Sequence, residues 1–563
     1  MITKQLEQFL EEQIQPLGYH EKVRVIVSNR KELCDYQCDD CFRLAKIYKK
    51  SPIEIGTEIV ACLQKSPKCQ DYFKEVTFAN PGFINMTLSD AFISQQINRM
   101  MQEEKFGMEM PSRIDTYVLD YGGANIAKPL HVGHVRPAIV GESMKRIIAY
   151  MGHRTISDVH LGDYGLPIGQ VIYGALQDNK QVEDITLEYL DNIYPKMSSL
   201  CKENEAIKIE CANITKALQD GSSEYQALFQ KIKEVSGNDC KRIYDYLGVS
   251  FDLWKGESDS YPYIPATTEV LKHIIEQSEG AKIIPVSEPT DAKELPPLIY
   301  QKSNGAYLYA TTDLATIYER METYHPNYIL YVTDSRQSLH FEQVFRACRK
   351  SGLTKDTKLE FLGLGTINGT DGKPFKTRSG TAPKLDDLFA QIKGIFLSQK
   401  EDNKDMQESD IDKIVNAILK FADLQNNRER DYIFDIGKFS SVVGKTGPYI
   451  LYTYLRIQKV LENMSFDHQI SEQIYNSDDR KLRLQLLELE SALQSAFSER
   501  LPSLLVDYIY TLSLLANTFY QNNRIQGLTD MQQKNDWLSL FNLTKNILKE
   551  LLYLIAIDIP QFM

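Results

Sequence analysis

Two histidines, His131 and His134, bracket Gly133, and Lys128 stands three residues before the first of them. The chain holds only nine histidines, so this pair is a candidate for joint chemistry. At the start of a helix, residues three apart share one side, and both rings can reach a single phosphate. An imidazole N–H can donate to the oxygens of a pentacovalent phosphorus, and such donors count most where charge builds in the transition state. The amides at a helix N-terminus favour phosphate too. Gly133 removes a side chain where a flat base could approach the backbone, and Pro129 fixes the loop just before the pair. These residue types suggest attack of a carboxylate on an α-phosphate, with pyrophosphate leaving.

Such a group needs a frame. TYVLDYGG, from Thr116, reads as an apolar strand that carries Asp120 and is broken by Gly122 and Gly123. A helix is predicted from about Gly133 to Tyr150, and TISDVHLGDYG, from Thr155, reads as the next strand. Strand signals return at YILYVTD (328–334) and KLEFLGLG (358–365), with helical patterns between and after. Alternating β and α predicts an α/β fold with a parallel, doubly wound nucleotide-binding sheet. The mostly helical, polar region near 175–245 reads as an insertion.

Residues 1–110 read as a separate α+β unit. Its first helix has Ile2, Leu6, Phe9, Leu10 and Ile14 on one face. KVRVIV and GFINMTLS are its predicted strands, and LAKIYKKSPIEIGTEIVACLQ is its predicted helical stretch. The nucleotide-binding unit is placed at 111–400. The charged, aromatic-free stretch 398–410 marks a boundary, and 411–563 reads as an all-α helical bundle.

The chain has 563 residues, too many for one core. No run approaches about 18 uncharged apolar residues, so no membrane span is expected. The charged N-terminus fits an amphipathic helix rather than a secretion signal, and a cytoplasmic location is expected. A net charge of −12 argues against a non-specific nucleic-acid coat, though not against a shaped RNA surface. Cys34, Cys38 and Cys41 lack a second paired arm, so reduced structural thiols are expected rather than a tightly bound metal. Gly444-Lys445-Thr446 is not a P-loop, because Phe439 stands where the first glycine belongs. Gly363-Leu364-Gly365 fails as a dinucleotide fingerprint at Asn368.

His131-Val132-Gly133-His134 resembles the HIGH signature of class I aminoacyl-tRNA synthetases. The ten-residue string from Asn125 to His134 is similar to the arginyl version of that family. DYQCDDCFRLAK, GFINMTLS, HLGDYGLPIGQ, KRIYDYLGVSFD, YVTDSRQSLHFEQ, GKPFKTRSG, ADLQNNRERDYIFD and GPYILYTYLRIQKVL extend the resemblance along nearly the whole chain. It implies an arginine–tRNA ligase: L-arginine and ATP, with Mg²⁺, form arginyl-adenylate, and the arginyl group passes to the 3′-terminal adenosine of tRNA(Arg). It also implies that tRNA must be present before the amino acid is activated. No DNA partner is implied.

The resemblance implies residue roles as well. His131, Gly133, His134 and Lys128 would bind ATP. The family's second signature, KMSKS, is degenerate here in Asp371–Gly380, where Lys376 and Arg378 are the available cations. Many arginyl enzymes share that loss and place a lysine before HIGH; Lys128 is that lysine, a movable charge suited to polyphosphate. Asp120, Asn125 and Gln337 match positions gripping the amino acid. Tyr309 and Asp313 match positions holding the guanidinium, and would face one pocket if their turn is helical. Asp163 and Gln170 stand after the next strand as further ATP or arginine contacts. Phe83 and Asn85 match positions that contact a D-loop base at the tRNA elbow, and Tyr449 is the anticodon-side candidate. Two other readings stay open: another adenylate-forming enzyme on this fold, and a non-catalytic paralogue that only binds tRNA or a protein.

Overall fold

The computed structural model describes residues 2–374, 384–399 and 406–563. Its first helix, Ile2–Ile14, buries Leu6, Phe9, Leu10 and Ile14, the face read from the sequence. Four strands follow: β1 (Ile26–Val27), β2 (Tyr36–Cys38), β3 (Phe73–Ala79) and β4 (Phe83–Leu88). They form an antiparallel sheet in the order β1-β2-β4-β3.

Two local expectations need correction. KVRVIV pairs only at Ile26–Val27, because carboxylates take the preceding amides. Glu11 accepts from Val23, Asp40 from Arg24 and Glu7 from Val25, so these donors are satisfied without a ladder. The helical stretch after Leu44 is two helices, Cys41–Tyr48 and Pro52–Lys65. Lys49 turns left-handed at φ 54° and ends the first. Ser51 caps the second through the Glu54 amide, with Pro52 in its first turn.

The middle unit carries β5 (Thr116–Tyr121), β6 (Arg154–Asp158), a small antiparallel sheet of β7 (Glu276–Ser278), β8 (Ala281–Ile284) and β9 (Leu298–Gln301), then β10 (Tyr328–Asp334) and β11 (Lys358–Leu364). The main sheet runs β11-β10-β5-β6, and every pairing is parallel. Helix Val135–Tyr150 crosses from β5 to β6, and helix Ser338–Ser351 from β10 to β11. The sequence expected β6 to run on through HLGDYG. It stops at Asp158, and the chain turns at His160 with φ 39°. The register sets Tyr331, Asp120 and Asp158 side by side across β10, β5 and β6. The predicted insertion is three helices: Leu187–Glu203, Glu205–Gln219 and Gln226–Tyr246. The three-stranded sheet was not anticipated, although left-handed Glu279 and Gly280 form the two-residue turn that joins β7 to β8.

The C-terminal part is a helical bundle. Helix Glu408–Leu424 buries Ile411, Ile414, Val415, Ile418, Leu419 and Ala422. Helix Met531–Leu554 buries Trp537, Leu540, Phe541, Leu548, Leu551 and Leu552. One short parallel pairing, of Ile367–Asn368 with Tyr432–Ile433, breaks the all-helical expectation beyond 411. Thr446 caps helix Gly447–Leu461, so the P-loop look-alike is a helix start.

Buried polar contacts join the parts. Arg136, on the helix after β5, lies 3.4 Å from Asp423 on the first bundle helix, and both are sealed from solvent. Arg480 of the bundle grips Asp35 of the N-terminal unit with two bonds of 2.9 and 2.8 Å. Asn98 exchanges two bonds with the Ile470 backbone. No helix among the described residues is long and apolar enough to cross a membrane.

Candidate active site

His131 caps, and His134 ends, a 3-10 turn, Val132–His134, that runs directly into helix Val135–Tyr150. His134 Nδ1 accepts the His131 amide at 3.1 Å, and His131 Nδ1 accepts the Gly133 amide at 3.1 Å. Each ring spends Nδ1 as an acceptor, which leaves its proton on Nε2. The ring centroids are 4.0 Å apart. Burial lowers the pKa of both, and the Lys128 charge lowers each further; His134 falls to about 3. Both are therefore neutral at physiological pH, and each offers one Nε2–H donor. A Cβ at Gly133 would lie 2.9 Å from the His131 ring, so the glycine also makes room for that imidazole over its own turn.

Lys128 places its ammonium 5.1 Å from the centroid of the Tyr194 ring, on the helical insertion. It lines a small cavity with Asn125, Asp163, Glu257 and Tyr309. Asn125 is bridged to Gly162, and a Cβ there would lie 2.4 Å from Asn125 Oδ1; glycine lets the amide cross the HLGDYG loop. Tyr309 opens helix Tyr309–Tyr324 and is 59% exposed. Asp313 is one turn on, so the helical condition for the pair is met. Its carboxylate accepts from His340 Nε2 at 2.5 Å. Asp120 lies near the end of β5, and Gln337 is exposed in the turn after β10. These residues stand at the carboxyl edge of the sheet, where open α/β sheets bind their ligands. Lys376 and Arg378 lie outside the described residues.

The site contains groups that sequence reasoning missed. Glu257 follows Gly256, whose bridge to Leu161 brings it to the cavity wall. Burial, then the nearby Asp313 charge, raises its carboxyl to about 8. No spacing pattern marks it; only the fold brings it there. Arg320, two turns beyond Asp313, is buried and donates to Asp120 at 2.6 Å, to Asp158 at 2.8 Å and to the Tyr331 hydroxyl at 3.2 Å. His160 Nδ1 is 3.4 Å from Asp158. Burial pulls its pKa down, but Asp158 and Asp120 outweigh this and lift it to about 9.

Asp163 lines the same cavity and is held on both oxygens. It is fully buried, accepts from the Ser258 amide and hydroxyl at 2.7 and 2.6 Å, and pairs with Lys233 at 2.6 Å. It pins the HLGDYG loop to the Glu257 turn. Gln170 is buried within helix Leu166–Gln177.

The RNA candidates are spread over two parts. Phe83 and Asn85 share one face of β4; Phe83 packs edge-on against Phe42 at 5.4 Å, and buried Asn85 accepts from Gln37 at 2.8 Å. Tyr449 is half-buried, 5.9 Å from Tyr510. Three residues on, Tyr452 is exposed, and Arg456 is stacked between it and Tyr520 at 4.5 and 5.2 Å. Arg428 is a structural residue, bonded to the Arg500 and Gly363 carbonyls, and Tyr454 is core. Cys34, Cys38 and Cys41 are buried free thiols. Among the described residues, the one cluster of metal-ligand side chains is Asp120, Asp158 and His160, and Arg320 already bonds both carboxylates there.

A four-stranded parallel sheet with an H-x-G-H turn at the mouth of its crossover helix is the catalytic arrangement of class I aminoacyl-tRNA synthetases. Residues 96–436 match the family model described as tRNA synthetases class I (R), catalytic domain. Residues 1–88 match the arginyl tRNA synthetase N terminal domain, and 450–563 match the DALR anticodon binding domain. The chain belongs to the arginyl-tRNA synthetase family. It is 41% identical to the arginine–tRNA ligase of Alkaliphilus oremlandii, with all of both chains covered. It is 40% identical to that of Agathobacter rectalis, with 97% of each covered. The arginyl-tRNA synthetase structure from Plasmodium falciparum superposes with a TM-score of 0.83 at 25% identity, covering 100% of this chain and 99% of that one. The Thermus thermophilus arginyl-tRNA synthetase has the same fold, with a TM-score of 0.83 at 20% identity over the whole of both chains.

Proposed function

We propose that this chain ligates L-arginine to tRNA(Arg) in two steps, as a cytoplasmic enzyme with ATP and Mg²⁺ as substrate. In the first step the arginine carboxylate attacks the α-phosphorus of ATP. The bond to the bridging oxygen breaks, and pyrophosphate leaves. His131 and His134 present neutral Nε2–H donors from one turn, suited to the oxygens on which charge grows. Lys128, three residues before, brings a cation to the polyphosphate, with Lys376 and Arg378 as further cations. In the second step the 2′-hydroxyl of the terminal adenosine attacks the arginyl carbonyl carbon, and AMP departs.

The side-chain pocket is acidic. Asp313 is held by His340, and Glu257 lies close enough to feel its charge. A planar guanidinium with five donors satisfies two carboxylates and the Tyr309 hydroxyl together. A neutral analogue leaves these half-buried acidic groups without the cation they are placed to meet, which favours its exclusion. Asp120, Asn125 and Gln337 hold the α-amino and carboxylate end.

The reading divides the chain into residues 1–110 for the tRNA elbow, 111–400 for catalysis and 411–563 for the anticodon. Phe83 and Asn85 face the elbow base, and Tyr449 faces the anticodon. The observation that carries the reading is two neutral imidazoles on one turn, with Lys128, three residues before them, lining a small cavity beside Glu257 and Tyr309. The test is charging of a purified tRNA pool with labelled arginine, beside tRNA-dependent pyrophosphate exchange across an amino-acid panel. Arginine alone should support both; exchange driven by another amino acid would overturn the reading.

A further inference from the structure

We infer that Arg320 is a positioning residue for amino-acid activation, fixing the Asp120 carboxylate for the α-ammonium of the incoming arginine. The inference rests on the reading above that Asp120 grips the amino acid. Its own basis is the row at the carboxyl end of the sheet. Three adjacent parallel strands deliver Tyr331, Asp120 and Asp158 in register, and the Arg320 guanidinium spans all three. A single nitrogen, Nη2, serves both carboxylates, at 2.6 and 2.8 Å. Arg320 itself is fully sealed, while the Asp120 side chain keeps 16% of its surface open and Asp158 only 1%. Of the two carboxylates, Asp120 is the one a ligand can reach.

The charges around Asp120 show why it needs this partner. Arg320 faces it from helix Tyr309–Tyr324, Asp158 and His160 from β6 and the turn beyond, and Tyr331 from β10. Behind Asp158 stands the Lys255–Glu319 pair. Burial pushes the Asp120 carboxyl up; Arg320 is the strongest influence pulling it back, followed by His160. Without the guanidinium, Asp120 would hold a proton more readily and offer an ammonium a weaker acceptor. Arg320 also shares a helix with Tyr309 and Asp313. One rigid element thus fixes both the acceptors for the guanidinium and the carboxylate for the opposite end of the same ligand.

The test uses the full chain with tRNA present. Pyrophosphate exchange is measured for the parent, Arg320→Met, Arg320→Lys and Asp120→Asn. Inhibition by 5-guanidinovalerate, which is arginine without its α-amino group, is measured alongside. Arg320→Met should raise the KM for arginine about ten- to hundred-fold, the worth of a charge-assisted contact. The inhibition constant of 5-guanidinovalerate should change less than about two-fold, since that ligand makes no ammonium contact. Alkaline pH should narrow the ratio of the variant's arginine KM to the parent's as Asp120 loses its proton; taking the ratio removes the rise in affinity that Glu257 gives both. Arg320→Lys keeps a cation in place should the methionine variant fail to fold. It should show a smaller rise with the same selectivity. Equal weakening of both ligands in a folded variant, or no narrowing of that ratio at high pH, would overturn the inference. An unchanged arginine KM in Asp120→Asn would instead remove the parent reading of Asp120.

Discussion

His340 donates to the Asp313 carboxylate at 2.5 Å, across from helix Ser338–Ser351 to helix Tyr309–Tyr324. The carboxylate is thereby oriented before any ligand arrives, and a pre-aimed acceptor loses less freedom on binding. Asp313→Asn should raise the KM for arginine by about a hundred-fold or more, and His340→Ala by about ten-fold. Steady-state exchange at varied arginine concentration checks both; an unchanged KM in Asp313→Asn removes that residue from the pocket.

Arginine capture should depend on pH through Glu257. In the free enzyme its carboxyl is raised to about 8 by burial and by Asp313. Below that pH it carries a proton; the bound guanidinium favours the ionised form, so binding expels the proton. Affinity should therefore rise as pH increases toward about 8 and level off above it. Calorimetry in buffers of different ionisation heat should register proton release near neutrality, and Glu257→Gln should abolish it.

Lys128→Ala separates phosphate chemistry from amino-acid binding. Adenylate formation should slow by about a hundred-fold, while the arginine KM moves less than about two-fold. Single-turnover measurement of adenylate against arginine titration gives the two numbers. Equal effects on both would place the ammonium elsewhere.

The Arg136–Asp423 pair predicts a stability effect distant from the chemistry. Removing one member leaves a buried charge without its partner, so Asp423→Ala should cost about 3–5 kcal/mol. The double replacement Arg136→Met with Asp423→Leu should recover most of that, because neither charge is then stranded. Thermal or denaturant unfolding checks the pair.

Tyr449→Ala should raise the KM for tRNA several-fold and leave the arginine KM unchanged. Charging assays over a range of tRNA concentrations read this directly. A tRNA KM equal to that of the parent would return Tyr449 to the bundle core.

Much of this was legible in the residues. The H-x-G-H turn, the strands around it and the helical periodicity beyond 411 are local patterns, and local patterns survive without coordinates. The helical step from Tyr309 to Asp313 was legible for the same reason. What escaped was set by contacts across the chain. Glu257 reaches the cavity only because Gly256 pairs with Leu161, and Arg320 matters only because three strands align their ends. KVRVIV failed as a long strand because carboxylates from Glu7, Glu11 and Asp40 took its amides, which no strand propensity registers. Asp163 lines the cavity, but its bonds to Lys233 and Ser258, from a distant helix and turn, were not legible in its sequence position.

The bidentate grip of Arg480 on Asp35, with the Asn98–Ile470 exchange beside it, locks the first unit to the last. Those are the two surfaces proposed to meet opposite regions of one folded RNA. On that proposal these contacts tie the spacing of the two surfaces to the protein's own frame, and the protein would work as a caliper: a transcript with correct bases at both places but an altered span between them should be charged poorly.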